Sequence, residues 1–386
     1  GILYDRIEGG GIETTIRNIC QEIYPEHFNI VLFLHERVKD SSIIPAGIKI
    51  VYLSSPQSSR SSIYDFINEL KTGLEENSIS ILMHWWIHGP ALLWITLLCH
   101  LMDIAVLTSI RFDHNFEVIS RRQHYPHTSM LNTLRCIDKI SCLNISSEIY
   151  LRLQGIDAIY LPNTVRQWDE PIPCNKRENN IAVSCRLHDR KKGIRHCLLV
   201  LKEVLRYCPN AKMIFIGSFE MPEREKIFYE RAKNLNLLEH IDVTGWIRDP
   251  AEVLDQCKVG FSASFMEGFP NTVADAQARG LPLVMYDLDI SIADNNPSII
   301  RVPQQDIKGA AIELANLLLN DDMRQHLSRV ALENIKRFSR ERFKRDILDF
   351  LKNFDSMSHM RSYSPGEYRR ALQMMAWYAG KSMPDY

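Results

Sequence analysis

Two carboxylates, Glu267 and Asp275, bracket the stretch EGFPNTVAD. Between them Gly268 and Pro270 impose a tight loop, and Asn271 is suited to cap a helix starting at about Thr272. A helix start presents backbone N–H groups without internal acceptors, which attract phosphate and other electron-rich oxygens. Carboxylates flanking such an anion site serve as acceptors for neutral hydroxyls, those of a sugar and a ribose. The plainer alternative leaves Glu267 a solvated loop residue and Asp275 a partner of the helix dipole. A second charged stretch, RLHDRKKG, begins at Arg186 and ends at Lys192 and Gly193. Arg186 and Lys192 form a cation pair suited to a diphosphate, and Gly193 permits a turn into a helix; a merely solvated loop is the alternative. A third stretch, EGGGIE at residues 8–13, lets backbone approach a ligand closely through Gly10 and Gly11, or is simply a tight turn. It is not the dinucleotide fingerprint, because Thr14 stands where that pattern needs glycine, which argues against a dehydrogenase.

These stretches sit on a chain patterned as strand and crossover helix. Short apolar runs alternate with longer segments of helical period, which predicts an α/β class with parallel sheets. In the first half strands are expected at 2–7, 29–34, 48–53, 80–85, 104–110 and 139–144. A polar, proline-containing stretch, 166–180, reads as a linker between a domain at 1–165 and a second at 181–336, with C-terminal helices over 337–386. In the second half Arg186, Gly217, Gly245, Trp246 and Glu267 all follow predicted strands. That is the sheet edge at which open α/β proteins bind ligands.

The 386 residues suit two cores rather than one. A net charge of −1 gives no global footprint for nucleic acid. Nine cysteines, none in a C-x-x-C pair, read as reduced thiols rather than a disulfide framework or zinc site. The N-terminal stretch GILYDRIEGGG lacks the layout of a signal peptide. The apolar run 91–107 is broken by His100 and Asp103, so it reads as a buried helix entering a strand. A cytoplasmic protein is expected. Near the C-terminus Met374, Trp377, Tyr378 and Lys381 recur at helical spacing behind Arg369 and Arg370. Two readings stay open there: a helix packed on the N-terminal domain or at a subunit contact, and a helix lying on a membrane surface.

Taken together, the glycine loop GGGIE, IYLPNTV (159–165), RLHDRKKG, FIGS (215–218), VTGW (243–246) and EGFPNTVADAQARG resemble family 4 of the retaining glycosyltransferases. The resemblance covers about residues 2–355 and implies the GT-B architecture, two Rossmann-like domains facing each other across a cleft. It implies a nucleotide-sugar donor, UDP-sugar favoured, and a glycan or lipid-linked acceptor, with no metal and no resident cofactor. Arg186 and Lys192 match the residues that neutralise the donor diphosphate, and Glu267 the one that meets the transferred sugar. Gly268, Phe269, Pro270, Asn271 and Thr272 match the loop that holds sugar and phosphate oxygens. Asp275 takes the place of the second acid of an E-x7-E-like motif, which holds the ribose, and is shorter by one methylene. Trp246, or its backbone, matches the nucleobase position, although an aromatic core residue fits equally. His114 matches a cleft histidine facing the donor sugar, or is structural. The loop 286–296 departs from the family's glycine-containing pattern. Rival readings are an epimerase or phosphorylase of similar architecture, and a catalytically silent partner subunit that binds glycan or protein.

Overall fold

The computed structural model describes residues 1–8, 10–55, 60–85, 90–111, 127–166, 168–173, 176–288 and 290–352. The chain forms two compact units, one of residues 1–162 joined by the stretch from Arg340, the other of Asn163–Ser339.

The first unit is built on seven parallel strands: β1 (Ile2–Tyr4), β2 (Val31–Leu34), β3 (Lys49–Tyr52), β4 (Ile81–His84), β5 (Ala105–Ile110), β6 (Lys139–Cys142) and β7 (Ala158–Tyr160). Their order is β3-β2-β1-β4-β5-β6-β7. β2 and β5 are buried along their whole length; β2 is an unbroken apolar run, and in β5 the buried Thr108 and Ser109 hydroxyls are hydrogen-bonded to the His84 carbonyl and the Ser141 hydroxyl. On one face Ile16, Ile19, Cys20 and Ile23 of helix Gly11–Ile23 pack with Phe343, Ile347 and Phe350 of helix Arg340–Lys352. Arg340 pairs with Glu22 and Lys344 with Glu26, so the late helix is held to the first one by charge as well as by burial.

The second unit carries six parallel strands: β8 (Glu178–Ser184), β9 (Lys212–Ile216), β10 (Ile241–Gly245), β11 (Cys257–Ser262), β12 (Leu283–Tyr286) and β13 (Ile299–Val302). Their order is β10-β9-β8-β11-β12-β13. Its core joins Ile181, Val183, Met213, Phe215, Val259 and Phe261 to the apolar faces of helices Ile194–Val204 and Ile307–Leu319.

The expected α/β class with two Rossmann-like units is what the chain forms. Differences fall at edges. Glu178–Asn180, expected in a linker, already belong to β8, and Asn163 and Thr164 already belong to the second unit. β7 and β13 were not expected as strands: they are only three and four residues long, and both are partly exposed. The described cysteines are free thiols. No helix among the described residues is long and apolar enough to cross a membrane. The tail beyond Lys352 lies outside the described residues.

Candidate functional site

In the second sheet the strand order reverses at β8, which has β9 on one side and β11 on the other. In open α/β sheets the carboxyl edge at such a reversal is the usual ligand position. The β8 loop holds Arg186 and the short 3-10 turn Arg190–Lys192, whose start is capped by Asp189 accepting from the Lys191 N–H at 2.9 Å. Gly193 then turns left-handed, φ 63°, into helix Ile194–Val204. A Cβ there would stand 2.1 Å from the Ala263 carbonyl oxygen, so only glycine lets this turn lie against the end of β11. The Phe265 N–H donates to the Lys191 carbonyl at 2.8 Å and fastens the two loops together.

That docking brings the two main candidates into contact. Lys192 Nζ donates to Glu267 Oε1 at 2.5 Å, both side chains being largely shielded from solvent. Arg186 is different: its guanidinium is mostly exposed and, among the described residues, pairs with Asp189 at 3.4 Å. Gly217 and Gly245, at the ends of β9 and β10, are joined by the Gly217 N–H donating to the Gly245 carbonyl at 2.9 Å. A Cβ on Gly217 would collide with the Cys185 carbonyl at 1.9 Å, so the β9 end also crowds the β8 loop. Trp246 is 69% exposed, which removes the alternative of a core aromatic.

The loop Gly268–Pro270 leads into helix Asn271–Ala278. Pro270, not Asn271, occupies the capping position, and no side chain caps this helix. The Asn271 side chain is instead engaged sideways, its Oδ1 accepting from Asn163 Nδ2 at 3.1 Å. Proline fixes the backbone torsion that a capping residue would otherwise supply, and the Asn271 and Thr272 N–H groups, as the first of the helix, have no intrahelical acceptor. Phe269 is buried against Phe338 with ring centres 5.1 Å apart. Asp275, one turn into the helix, is 8% exposed, and its nearest cation is Arg166, 3.9 Å from Nε to Oδ1. Burial raises the Asp275 carboxyl to about 7, Arg166 opposing this and Asp249 reinforcing it.

Glu267, Lys192, Arg186, Gly217, Gly245, Trp246 and Gly268 through Asp275 thus all lie on the second unit's carboxyl-edge loops or on the helix that follows them. Gly10 and Gly11 lie in the first unit, where Gly10 precedes helix Gly11–Ile23 without a side-chain cap. Glu13, buried in that helix, pairs with Arg6 at 3.0 Å. His114 lies outside the described residues. Sequence reasoning missed Asn163 and Arg166, which no local periodicity marks. It also missed His196, whose Nδ1 stands 2.8 Å from the Tyr286 hydroxyl and whose ring meets Phe265 of the β11 loop edge-on, with ring centres 5.1 Å apart.

Residues 178–320 match the family model described as Glycosyl transferases group 1. A 97-residue stretch is 30% identical to an uncharacterized glycosyltransferase of Methanocaldococcus jannaschii, covering 25% of this chain and 23% of that protein. Across both units the fold is similar to sucrose-phosphate synthase from Thermosynechococcus elongatus, with TM-score 0.76, 14% identity, and coverage of 92% of this chain and 99% of that one. It is equally similar to Anabaena HepE solved in complex with UDP and glucose, with TM-score 0.76, 12% identity, and coverage of 91% and 98%. The architecture is GT-B, and the match within the second unit supports a glycosyltransferase.

Proposed function

We propose that the chain is a retaining, metal-independent glycosyltransferase. It takes a sugar from a nucleotide-sugar, UDP-sugar favoured, to a glycan or lipid-linked acceptor in cell-surface polysaccharide or glycan synthesis. The observation that carries this reading is the meeting of Lys192, Glu267 and an uncapped helix start at the reversal point of the second sheet. In this reading the donor diphosphate lies against the Asn271 and Thr272 N–H groups, with Lys192 and the exposed Arg186 neutralising it. Glu267 exchanges its ion pair with Lys192 for the hydroxyls of the transferred sugar. Trp246 offers a face to the nucleobase, and Asp275 accepts from the ribose.

Charge builds on the diphosphate as the glycosidic bond breaks. Donors already fixed in place stabilise it without reorganisation, which is electrostatic catalysis. The leaving phosphate oxygen takes the acceptor hydroxyl's proton on the same face, so the new bond forms with retention and no separate base is needed. No resident cofactor enters this scheme. The UDP-sugar preference follows the family resemblance and is consistent with the UDP held by the similar Anabaena protein. A cytoplasmic site of action, with the tail touching the membrane when the acceptor is lipid-linked, belongs to the same proposal.

A thermal-shift panel of UDP, GDP, ADP and their sugars tests it. One nucleotide and its sugars should raise the melting temperature, and hydrolysis or transfer of that sugar should be detectable. Silence across the panel would overturn the transferase reading in favour of a non-catalytic partner subunit.

A further inference from the structure

The chain enters the second unit along the candidate donor segment. Asn163 reaches Asn271, and Thr164 Oγ1 and the Val165 N–H donate to the Phe338 carbonyl at 3.1 and 3.0 Å. Arg166 follows. Its Nη1 donates to the Arg248 carbonyl at 2.7 Å, and its guanidinium carbon lies 5.9 Å from the centre of the Trp168 ring. These contacts hold the guanidinium beside Asp275 while leaving it 43% exposed. The Asp275 carboxyl accepts no hydrogen bond from the described residues, Arg166 being its ion-pair partner there. The Asp275 side chain stays 11% exposed, so its free acceptor capacity is open to hydroxyl donors from outside.

Resting on the donor reading above, we infer that Arg166 is a positioning residue for the nucleoside end of the donor, holding the Asp275 carboxyl in place to accept the ribose hydroxyls. Arg166 itself makes no contact with the reacting atoms. The polar, proline-containing composition of 166–180 gave the position only a linker role.

The other charged groups nearby are accounted for. Asp249, in the loop after β10, opposes ionisation of Asp275. Arg279, just after the same helix, is committed to Asp255, and Glu267 to Lys192. Arg324, on the neighbouring helix Asp321–Ile335, donates to the Leu317 and Leu318 carbonyls. Arg166 is therefore the cation that counters the buried carboxyl.

With the folded value raised from 3.8 to about 7, the Asp275 contribution to stability is fully present below pH 3.8 and is lost as pH rises through about 7. Hydroxyls donate more strongly to the carboxylate than to the acid, so ligand binding favours ionisation and tightens as pH rises through the same region. Without Arg166 the burial effect is unopposed, and the rise in affinity moves to higher pH.

The test is calorimetric titration, from about pH 6 to about pH 8.5, of wild type, Arg166→Gln, Arg166→Lys and Lys192→Ala. The probe is UDP-glucose, GDP-mannose or ADP-glucose, whichever the thermal panel selects; none has a diphosphate proton that titrates in this range. Arg166→Gln should bind about tenfold more weakly near neutrality, equivalent to one pKa unit, and recover at the alkaline end. Arg166→Lys should track wild type. A wild-type affinity and pH profile in Arg166→Gln, alongside weakened binding in Lys192→Ala, would overturn the role of Arg166 and leave the donor site standing. An equal loss at every pH in both Arg166 variants would also overturn it. Failure of wild type to bind any probe would instead sink the donor reading on which the inference rests.

Discussion

Lys192 and Glu267 illustrate how much a single contact changes the meaning of two residues. Along the chain they belong to separate loops with separate proposed partners, a phosphate and a sugar. In the fold they neutralise each other at 2.5 Å in a largely shielded position. Removing either leaves an opposite charge poorly solvated, which costs stability, and also removes a donor contact. Lys192→Ala and Glu267→Ala should each lower transfer at least about a hundredfold, the scale of losing one preorganised electrostatic contact. Circular dichroism should still report a folded protein. Wild-type rates in either variant would remove both residues from the site.

At the scale of elements, the β8 loop works because its turn can lie against the end of β11. Gly193 is the hinge of that argument: its left-handed backbone and the Ala263 oxygen leave no room for a Cβ. Gly193→Ala should cost more than about 2 kcal/mol, combining backbone strain with a steric clash. It should also weaken nucleotide binding, since the Lys191 to Phe265 contact and the Lys192 to Glu267 pair depend on the same docking. Differential scanning calorimetry with and without nucleotide checks both effects; an unchanged melting temperature would contradict this account of the loop. The start of helix Asn271–Ala278 teaches a related lesson. Asparagine is a good capping type, but proline already fixes the preceding backbone, so the Asn271 side chain is released for Asn163.

For the whole molecule, the consequential feature is that the chain returns to its first unit. Helix Arg340–Lys352 completes the apolar layer of helix Gly11–Ile23, with Ile347 and Phe350 fully buried. Ile347→Ala should destabilise the first unit by about 2 to 5 kcal/mol, the usual range for such truncations. In calorimetry the loss should appear in the transition that nucleotide does not shift. A matching loss in the nucleotide-sensitive transition would show that the two units do not melt separately.

The α/β class, most strands of both sheets and the clustering of polar residues at strand ends were legible in the chain, because strand and helix periods and turn residues are local signals. The EGFPNTVAD and RLHDRKKG stretches were legible too, since glycine, proline and charge at strand ends mark loops. The short strands β7 and β13 were not, because runs of three and four residues are too brief for their period to be distinguished from a loop or a helix turn. Trp246 could be a core or a surface aromatic until burial decided it. The pairing of Lys192 with Glu267, 75 residues apart, and the approach of Arg166 to Asp275 come only from tertiary structure. Strand order decides which loops become neighbours, and that order is set by nonlocal burial of both sheet faces rather than by any pattern within a single loop.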